Sequence, residues 1–290
     1  MTSADGRHPI VVGVDPDPSK RLVLAWAADE ADRRHLPLRL VHAQGVPTGG
    51  YRSGEARPSW EEWNRALHGL GDQVLKEAVA FVEARRPAVE MSTLLAEGEP
   101  TWVLREEARG AALVVVGSWH LSRRRKTFSS ASVVLPLTAH APCPVAVVPE
   151  PEHVTQQPAY FVVGVDGSPH SAAAVDMAFE EAALRGALLR ALYVWHPPIL
   201  GVLDEEAAVR ECRRMLSETV AGRTATHPDV GLHHEVVRGH PVRVLTEASE
   251  HALGLVVGTR GHGGFTGMLL GSVSQGVLHH ARCPVITVPA

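Results

Sequence analysis

The 290 residues contain only three cysteines, Cys143, Cys212 and Cys283. They are too few and too widely spaced for a disulfide framework or the clustered thiolates of a zinc site. Long apolar stretches are also missing. The longest runs are about six residues, as in Ala111–Val116, whereas a membrane-spanning helix needs roughly twenty. Neither sign of charge dominates: 28 Lys plus Arg against 32 Asp plus Glu leave a net charge of −4. That balance gives no electrostatic ground for a nucleic-acid or acidic-membrane partner. The opening MTSADGRHPIVVGVD has no basic segment followed by an apolar stretch, so no secretory leader is expected and a cytoplasmic location is. What the chain does have is 45% apolar residues, enough to argue against disorder. Its length, at roughly 150 residues per domain, suggests two domains that each close a core. Seventeen histidines will raise the net charge as pH falls through about 6.5.

The most informative feature is an internal repeat. IVVGVD (10–15) returns as FVVGVD (161–166) at an offset of 151, and ALVVVGS (112–118) as LGLVVGT (253–259) at an offset of 141. HAPCPVAVVP (140–149) and HARCPVITVP (280–289) differ at three of ten positions. The fall in offset places the length difference mid-copy, where the first copy carries GVPTGGYRSGEARPSW (45–60). The joint, EPEHVTQQPA (150–159), is polar and aperiodic. Two homologous domains, 1–150 and 151–290, are expected. Cys143 and Cys283 hold equivalent places before Pro and are read as buried structural residues.

Within each copy, short β-branched runs alternate with helical patterns. In the second, Phe161–Val165 is followed by a helix over Ala172–Arg185 with Ser168 and Pro169 as start signals. Then come a strand at Leu188–Val194, a helix over 205–222, a strand at His234–Val237 and a helix over Pro241–His251. A strand at Leu253–Gly258, a helix over Ser272–Ala281 and a closing strand at Pro284–Pro289 complete it. Uniformly apolar strands separated by helices indicate parallel sheets covered on both faces. The fold class is therefore α/β: two tandem doubly wound domains, each a five-stranded parallel sheet flanked by helices. The closing strands, short and bounded by Pro, are expected to meet each other or a second molecule at sheet edges. Ligands of such sheets sit beyond the carboxyl ends of the strands, where strand order reverses.

The segment after the fourth strand of the second copy runs from Gly258 to Ser274, with six glycines among the fourteen residues 258–271. Glycine permits positive φ and lets a ligand approach the backbone closely. Gly271-Ser272 then opens a helix whose first amides are unpaired and partly positive, the makings of an anion site. Ser272 and Ser274 offer hydroxyls and Arg260 a cation. The alternative is a flexible surface loop with Ser272 acting only as a helix cap. Neither a P-loop nor a dinucleotide fingerprint occurs, and Ser272-Val273-Ser274-Gln275-Gly276 only approximates a nucleophile elbow.

The spacing Gly258, Gly261, Gly271-Ser272 resembles the ATP-binding signature of the universal stress protein family. The VGVDGS opening (163–168) and the closing CPVITVP (283–289) belong to the same resemblance, which covers nearly the whole chain as two copies. It implies that Asp166 and Val194 hold the adenine and that Gly164 leaves space beside it. Gly258, Thr259, Arg260, Gly261, His262, Gly263 and Gly264 would wrap ribose and phosphates, and Gly271, Ser272, Val273 and Ser274 the phosphate chain. For Asp166 a plainer role stands beside this one, as N-cap of the following helix.

The first copy keeps Gly13, Asp15, Gly117, Ser132 and Val133, with Ala43 in the place of Val194. His120 and Ala131 replace the second and third glycines, and the loop between them carries Arg123, Arg124, Arg125 and Lys126. Those cations either bind phosphate by side chain or form a solvated loop tip beside a degenerate site. The expectation is impaired binding in this copy.

The resemblance implies an ATP-binding regulatory protein of stress adaptation, with or without Mg, a homodimer that signals to a protein partner. No catalytic residue and no protein-held metal site is assigned. The rival readings are a slow ATPase or nucleotidyl-transfer enzyme and a nucleotide-free interaction scaffold. The loop has no lysine and no evident base to position water, which weighs against turnover.

Overall fold

The computed structural model describes residues 7–17, 21–44, 60–118, 131–149, 153–196, 204–261 and 270–290, with backbone only at 60–67 and 131–132. The chain forms two compact units, Met1–Gly117 and Ser118–Ala290. The first contains β1 (Ile10–Gly13), α1 (Arg21–Arg34), β2 (Leu38–Gln44), α2 (Trp60–Arg85), β3 (Met91–Glu97), α3 (Pro100–Ala108) and β4 (Leu113–Gly117). Its strands lie in the order β3-β2-β1-β4, all parallel.

The second unit begins with α4 (Ala131–His140) and β5 (Val145–Val148), which belong by sequence to the first copy. The second copy follows: β6 (Tyr160–Val165), α5 (Pro169–Arg185), β7 (Leu188–Trp195), α6 (Glu205–Val220), α7 (Arg223–Thr226), β8 (Leu232–Arg238), α8 (Pro241–Ala248), β9 (Gly254–Gly258), α9 (Ser272–His280) and β10 (Val285–Val288). Strand order here is β5-β10-β9-β6-β7-β8. Every pairing is parallel except β5 with β10, which run antiparallel with Val285 opposite Val147 and Thr287 opposite Val145. The two closing strands thus meet each other. The repeat boundary near residue 150 and the unit boundary at 117/118 differ, and β5, the last strand of the first copy, pairs with β10 of the second.

Helix α5 shows how local chemistry sets an element. Pro169 occupies the first turn, Ser168 Oγ accepts the Ser171 amide at 3.2 Å, and Gly186 closes the helix at φ +57°. A cap of this kind stabilises by about 1 kcal/mol. The inner face of α5, Ala174, Val175, Ala178, Phe179 and Ala182, is fully buried. The helix expected to reach 222 stops at Val220, because Gly222 adopts φ +82° and turns the chain into α7. The helix expected to run to His251 ends at Ala248, where Ser249 Oγ donates to the Thr246 carbonyl and competes with the helical ladder.

One buried ion pair recurs in both copies. Glu30 and Glu181, 151 positions apart, have no exposed surface and face Arg34 and Arg185 one turn on. Arg185 also lies 5.3 Å over the Phe161 ring. Glu30 also pairs with Arg33 at 3.7 Å, and removing either Arg34 or Arg185 would weaken the compensation of a buried charge and so destabilise the fold.

Candidate functional site

In the second copy the chain runs from β6 to β7 on one side, while β9 flanks β6 on the other. Strand order therefore reverses between β6 and β9, and the segments leaving their carboxyl ends meet there. The contact is intimate. A Cβ on Gly258 would lie 2.7 Å from the His170 carbonyl carbon, in the first turn of α5. A Cβ on Gly261 would lie 2.1 Å from Asp166 Oδ2. Each glycine lets backbone approach where any side chain would collide.

Asp166 is half-buried just beyond β6. Its Oδ1 accepts the Ser168 amide at 3.0 Å, a local turn that leads into α5, while its Oδ2 faces Gly261. Ser168, not Asp166, is the N-cap of α5, so the plainer role for Asp166 falls to its neighbour. Across the β6–β7 pairing, Tyr193 stands opposite Val165. Burial, a hydrogen bond shared with the Cys212 thiol and the Asp166 charge push the Tyr193 phenol up to about 12. Val194, half-buried, follows it in β7 and pairs in register with Val237.

Thr259 anchors the glycine-rich segment at both ends. It is buried, its amide donates to the Val288 carbonyl at 2.9 Å, and its carbonyl accepts the Gly271 amide at 2.8 Å. Position 271 is therefore held directly against position 259. Arg260 is exposed beside it; His262, Gly263 and Gly264 lie outside the described residues. Gly271 is the N-cap of α9 and, having no side chain, leaves the first amides of that helix without a side-chain cap. Ser272 is exposed, Val273 half-buried and Ser274 buried. Ser274 Oγ donates to the Gly258 carbonyl at 2.6 Å, so its proton is committed to the strand end.

Three glycines have a reason of their own. The space above Gly164, expected to lie beside a nucleotide, holds Leu245 Cδ1, 3.0 Å from where a Cβ would be. Gly13 meets Leu104 Cδ1 at 3.2 Å in the same way. Gly276 lets α9 close on α8, since a Cβ there would stand 2.4 Å from Val242 Cγ2. The pairing of Tyr193 with Cys212 and the roles of Leu245 and Val242 are not apparent in the sequence. Strand alternation around Val194 offered the one usable signal, for Tyr193.

In the first unit, exposed Asp15 repeats the Asp166 turn, its Oδ1 accepting the Asp17 amide at 2.9 Å. His42 takes the place of Tyr193 and pairs through Nδ1 with the Val14 carbonyl at 2.9 Å. Ala43 is half-buried in β2, and a Cβ on Gly117 would meet Val23 Cγ2 at 3.1 Å. Ser132 and buried Val133 belong to α4 in the second unit. His120 and Arg123–Lys126 lie outside the described residues.

A profile of the Universal stress protein family matches residues 6–149 and 161–289, both copies almost end to end. The chain belongs to the universal stress protein family. Universal stress protein Rv2623 of Mycobacterium tuberculosis is 34% identical over 293 residues, covering 99% of this chain and 98% of that one. A universal stress protein of Mycolicibacterium smegmatis is 32% identical over 301 residues, covering 99% of each. A crystal structure of a universal stress protein from Archaeoglobus fulgidus superposes with a TM-score of 0.71 over 98% of this chain and 97% of that one. At 16% identity this last likeness speaks for the fold alone. Tandem universal stress domains and an α/β fold with a mostly parallel sheet are thereby established. No helix among the described residues is long and apolar enough to cross a membrane.

Proposed function

We propose that the second copy binds ATP at the carboxyl ends of β6 and β9, and that the chain acts as a nucleotide-responsive regulator rather than by turnover. One observation carries this reading: the post-β6 and post-β9 segments converge on Asp166 and Gly261 beside the uncapped N-terminus of α9. A carboxylate suits a base edge and free helix amides suit phosphates, so the two ends of a nucleotide have complementary groups. Asp166 and Val194 would face the adenine, Gly258 to Gly264 the ribose and phosphates, and the amides of Ser272, Val273 and Ser274 the phosphate chain. The Ser274 hydroxyl already donates its proton to the Gly258 carbonyl, so Ser274 would serve the phosphates through its backbone amide. Mg would ride on the phosphates, since no residue here is assigned to hold it. In the first copy Gly13, Asp15, Ala43, Gly117, Ser132 and Val133 would form the weaker counterpart. The regulator would work as a homodimer in the cytoplasm and through a protein partner that reads the loaded state. Such signalling requires unequal nucleotide affinity in two states.

Calorimetric titration of the full chain with ATP, with and without Mg, tests the reading, and Asp166→Ala is the informative variant. Affinity should drop by about 1–3 kcal/mol, the cost of unpairing a buried polar contact. No saturable ATP binding would favour the scaffold reading, and released ADP or transferred nucleotide would favour the enzymatic one.

A further inference from the structure

At the opposite, amino ends of the strands, the second unit has an open groove of about 520 Å³, outside everything described above. That volume falls in the range of small-molecule sites, roughly 300–1,000 Å³. Pro158 and Leu188 supply its apolar surface, Tyr160 an aromatic wall, Arg190 a cation and His233 the rim. Tyr160 and Leu188 are register partners and Arg190 pairs with His233, so these four share one face of the sheet. Leu188 is 41% exposed, a large aliphatic residue left open to solvent.

The first copy supplies an internal control. There the arginine equivalent to Arg190 is Arg39, whose Nε lies 2.9 Å from Glu107 Oε2 with both side chains about a quarter exposed. Position 107 corresponds to Ala248 in the second copy, so the acid is gone. Tyr160 replaces Pro9, its hydroxyl donating to the Ala248 carbonyl at 3.2 Å, and its ring lies 5.6 Å beneath the Arg190 guanidinium. Leu188 replaces Pro37 and His233 replaces Ser92. Among the described residues Arg190 makes one longer ion pair, 3.4 Å to Glu235, with both side chains a little over a third exposed. An exposed pair of this kind is worth about 0–1 kcal/mol and yields readily to a competing anion.

We propose that this groove binds a small carboxylic acid with an aromatic or branched apolar body. The carboxylate engages the planar guanidinium fork of Arg190, and the body covers Leu188 and Pro158. Arginine stacked on an aromatic ring is pre-oriented for two parallel hydrogen bonds to a carboxylate. This site is independent of the phosphate loop, and its occupancy does not need a nucleotide.

The test is titration of the full chain with 2-naphthoate and with its neutral counterpart 2-naphthylmethanol, followed by calorimetry and ligand-observed NMR. Naphthoate should saturate, and the alcohol should bind about tenfold or more weakly, the loss of a charge-assisted contact. Arg190→Gln and Ala248→Glu should each weaken naphthoate by a similar factor. Ala248→Glu restores the pairing that Arg39 and Glu107 make in the first copy, so it should leave Tm intact. Four results would overturn the proposal: no saturation at millimolar naphthoate, equal binding of the alcohol, unchanged affinity in both variants, or displacement of naphthoate by ATP.

Discussion

Alanine at Gly258, Gly261 and Gly271, one at a time, should separate fold from binding, because the three glycines are glycine for different reasons. At Gly258 the new Cβ would stand 2.7 Å from the His170 carbonyl carbon and Cβ and 2.8 Å from its carbonyl oxygen. Those atoms sit in the first turn of α5, held by the Ser168 cap, and cannot withdraw unless the helix moves off β9. Overpacking of this kind costs about 1–3 kcal/mol. For a domain of this size Tm should fall by roughly 2–12 °C. At Gly261 the collision, 2.1 Å, is with Asp166 Oδ2, the end of a short side chain. Asp166 can rotate away by giving up the Ser168 amide, a loss of about 1 kcal/mol. The main effect of Gly261→Ala should therefore be on ATP affinity, with the base-facing carboxylate displaced. At Gly271 the nearest atoms are 3.4–3.5 Å away and φ is −63°, so alanine fits and stability should hold within about 0.5 kcal/mol. Differential scanning calorimetry of each variant, paired with ATP titration, reads the two effects separately. A Gly258→Ala protein as stable as the parent, or a Gly261→Ala protein less stable than Gly258→Ala, would refute the geometry behind the argument.

Ser274→Ala should cost about 1–2 kcal/mol in urea unfolding, because its buried hydroxyl completes the Gly258 carbonyl; a larger effect on ATP affinity than on stability would reverse that assignment. Asp29 ties α1 to α2 through Arg85 and Arg86; burial pushes its carboxyl up, but the two guanidinium groups outweigh it and hold the pKa below the usual value. A lowered folded pKa means stability present above the unfolded value of 3.8 and lost as pH falls through the folded one, so Asp29→Asn should flatten the acid limb of a urea-midpoint profile. With both arginines about two-fifths exposed, the loss near neutral pH should be about 1 kcal/mol. Tyr193 has a raised folded pKa, so its contribution is complete below the unfolded value of 10 and fades as pH rises toward about 12. Phenolate absorbance should show one of the three tyrosines ionising late, a step that Tyr193→Phe removes.

The alternation of strands and helices was legible because apolar runs such as Leu113–Val116 and Leu255–Val257 are both short and wholly buried, the pattern of a two-sided parallel sheet. Gly258 and Gly261 could be picked out from spacing and Asp166 from the family resemblance, and the structure sets Gly261 against Asp166 and Gly258 against the first turn of α5. Spacing could not say which of Asp166 and Ser168 caps α5, since both residue types cap helices and only φ and ψ at position 168 decide. Nor could it tell a glycine kept open for a ligand from one pressed by a neighbouring helix. Gly164 under Leu245 and Gly276 against Val242 depend on where α8 lies, a tertiary fact with no local signature. The Tyr193–Cys212 contact joins residues on β7 and α6, and nothing in either segment announces the other.

The antiparallel seam between β5 and β10 sets terms for dissecting this chain. Cutting at the sequence joint near residue 150 would free the second copy but strip β10 of the strand that covers one of its edges. Val285, Ile286, Thr287 and Val288 are all buried in the intact chain, and their unpaired amides and carbonyls would then face water. An open edge of that composition invites another strand. The most suitable substitute is β10 of a second fragment, because Val-Ile-Thr-Val closely matches the Val-Ala-Val-Val it would replace. Isolated second copies should therefore pair with each other. Any property measured on such a fragment would describe a swapped assembly, so point substitution in the intact chain is the sounder way to assign activities to each copy.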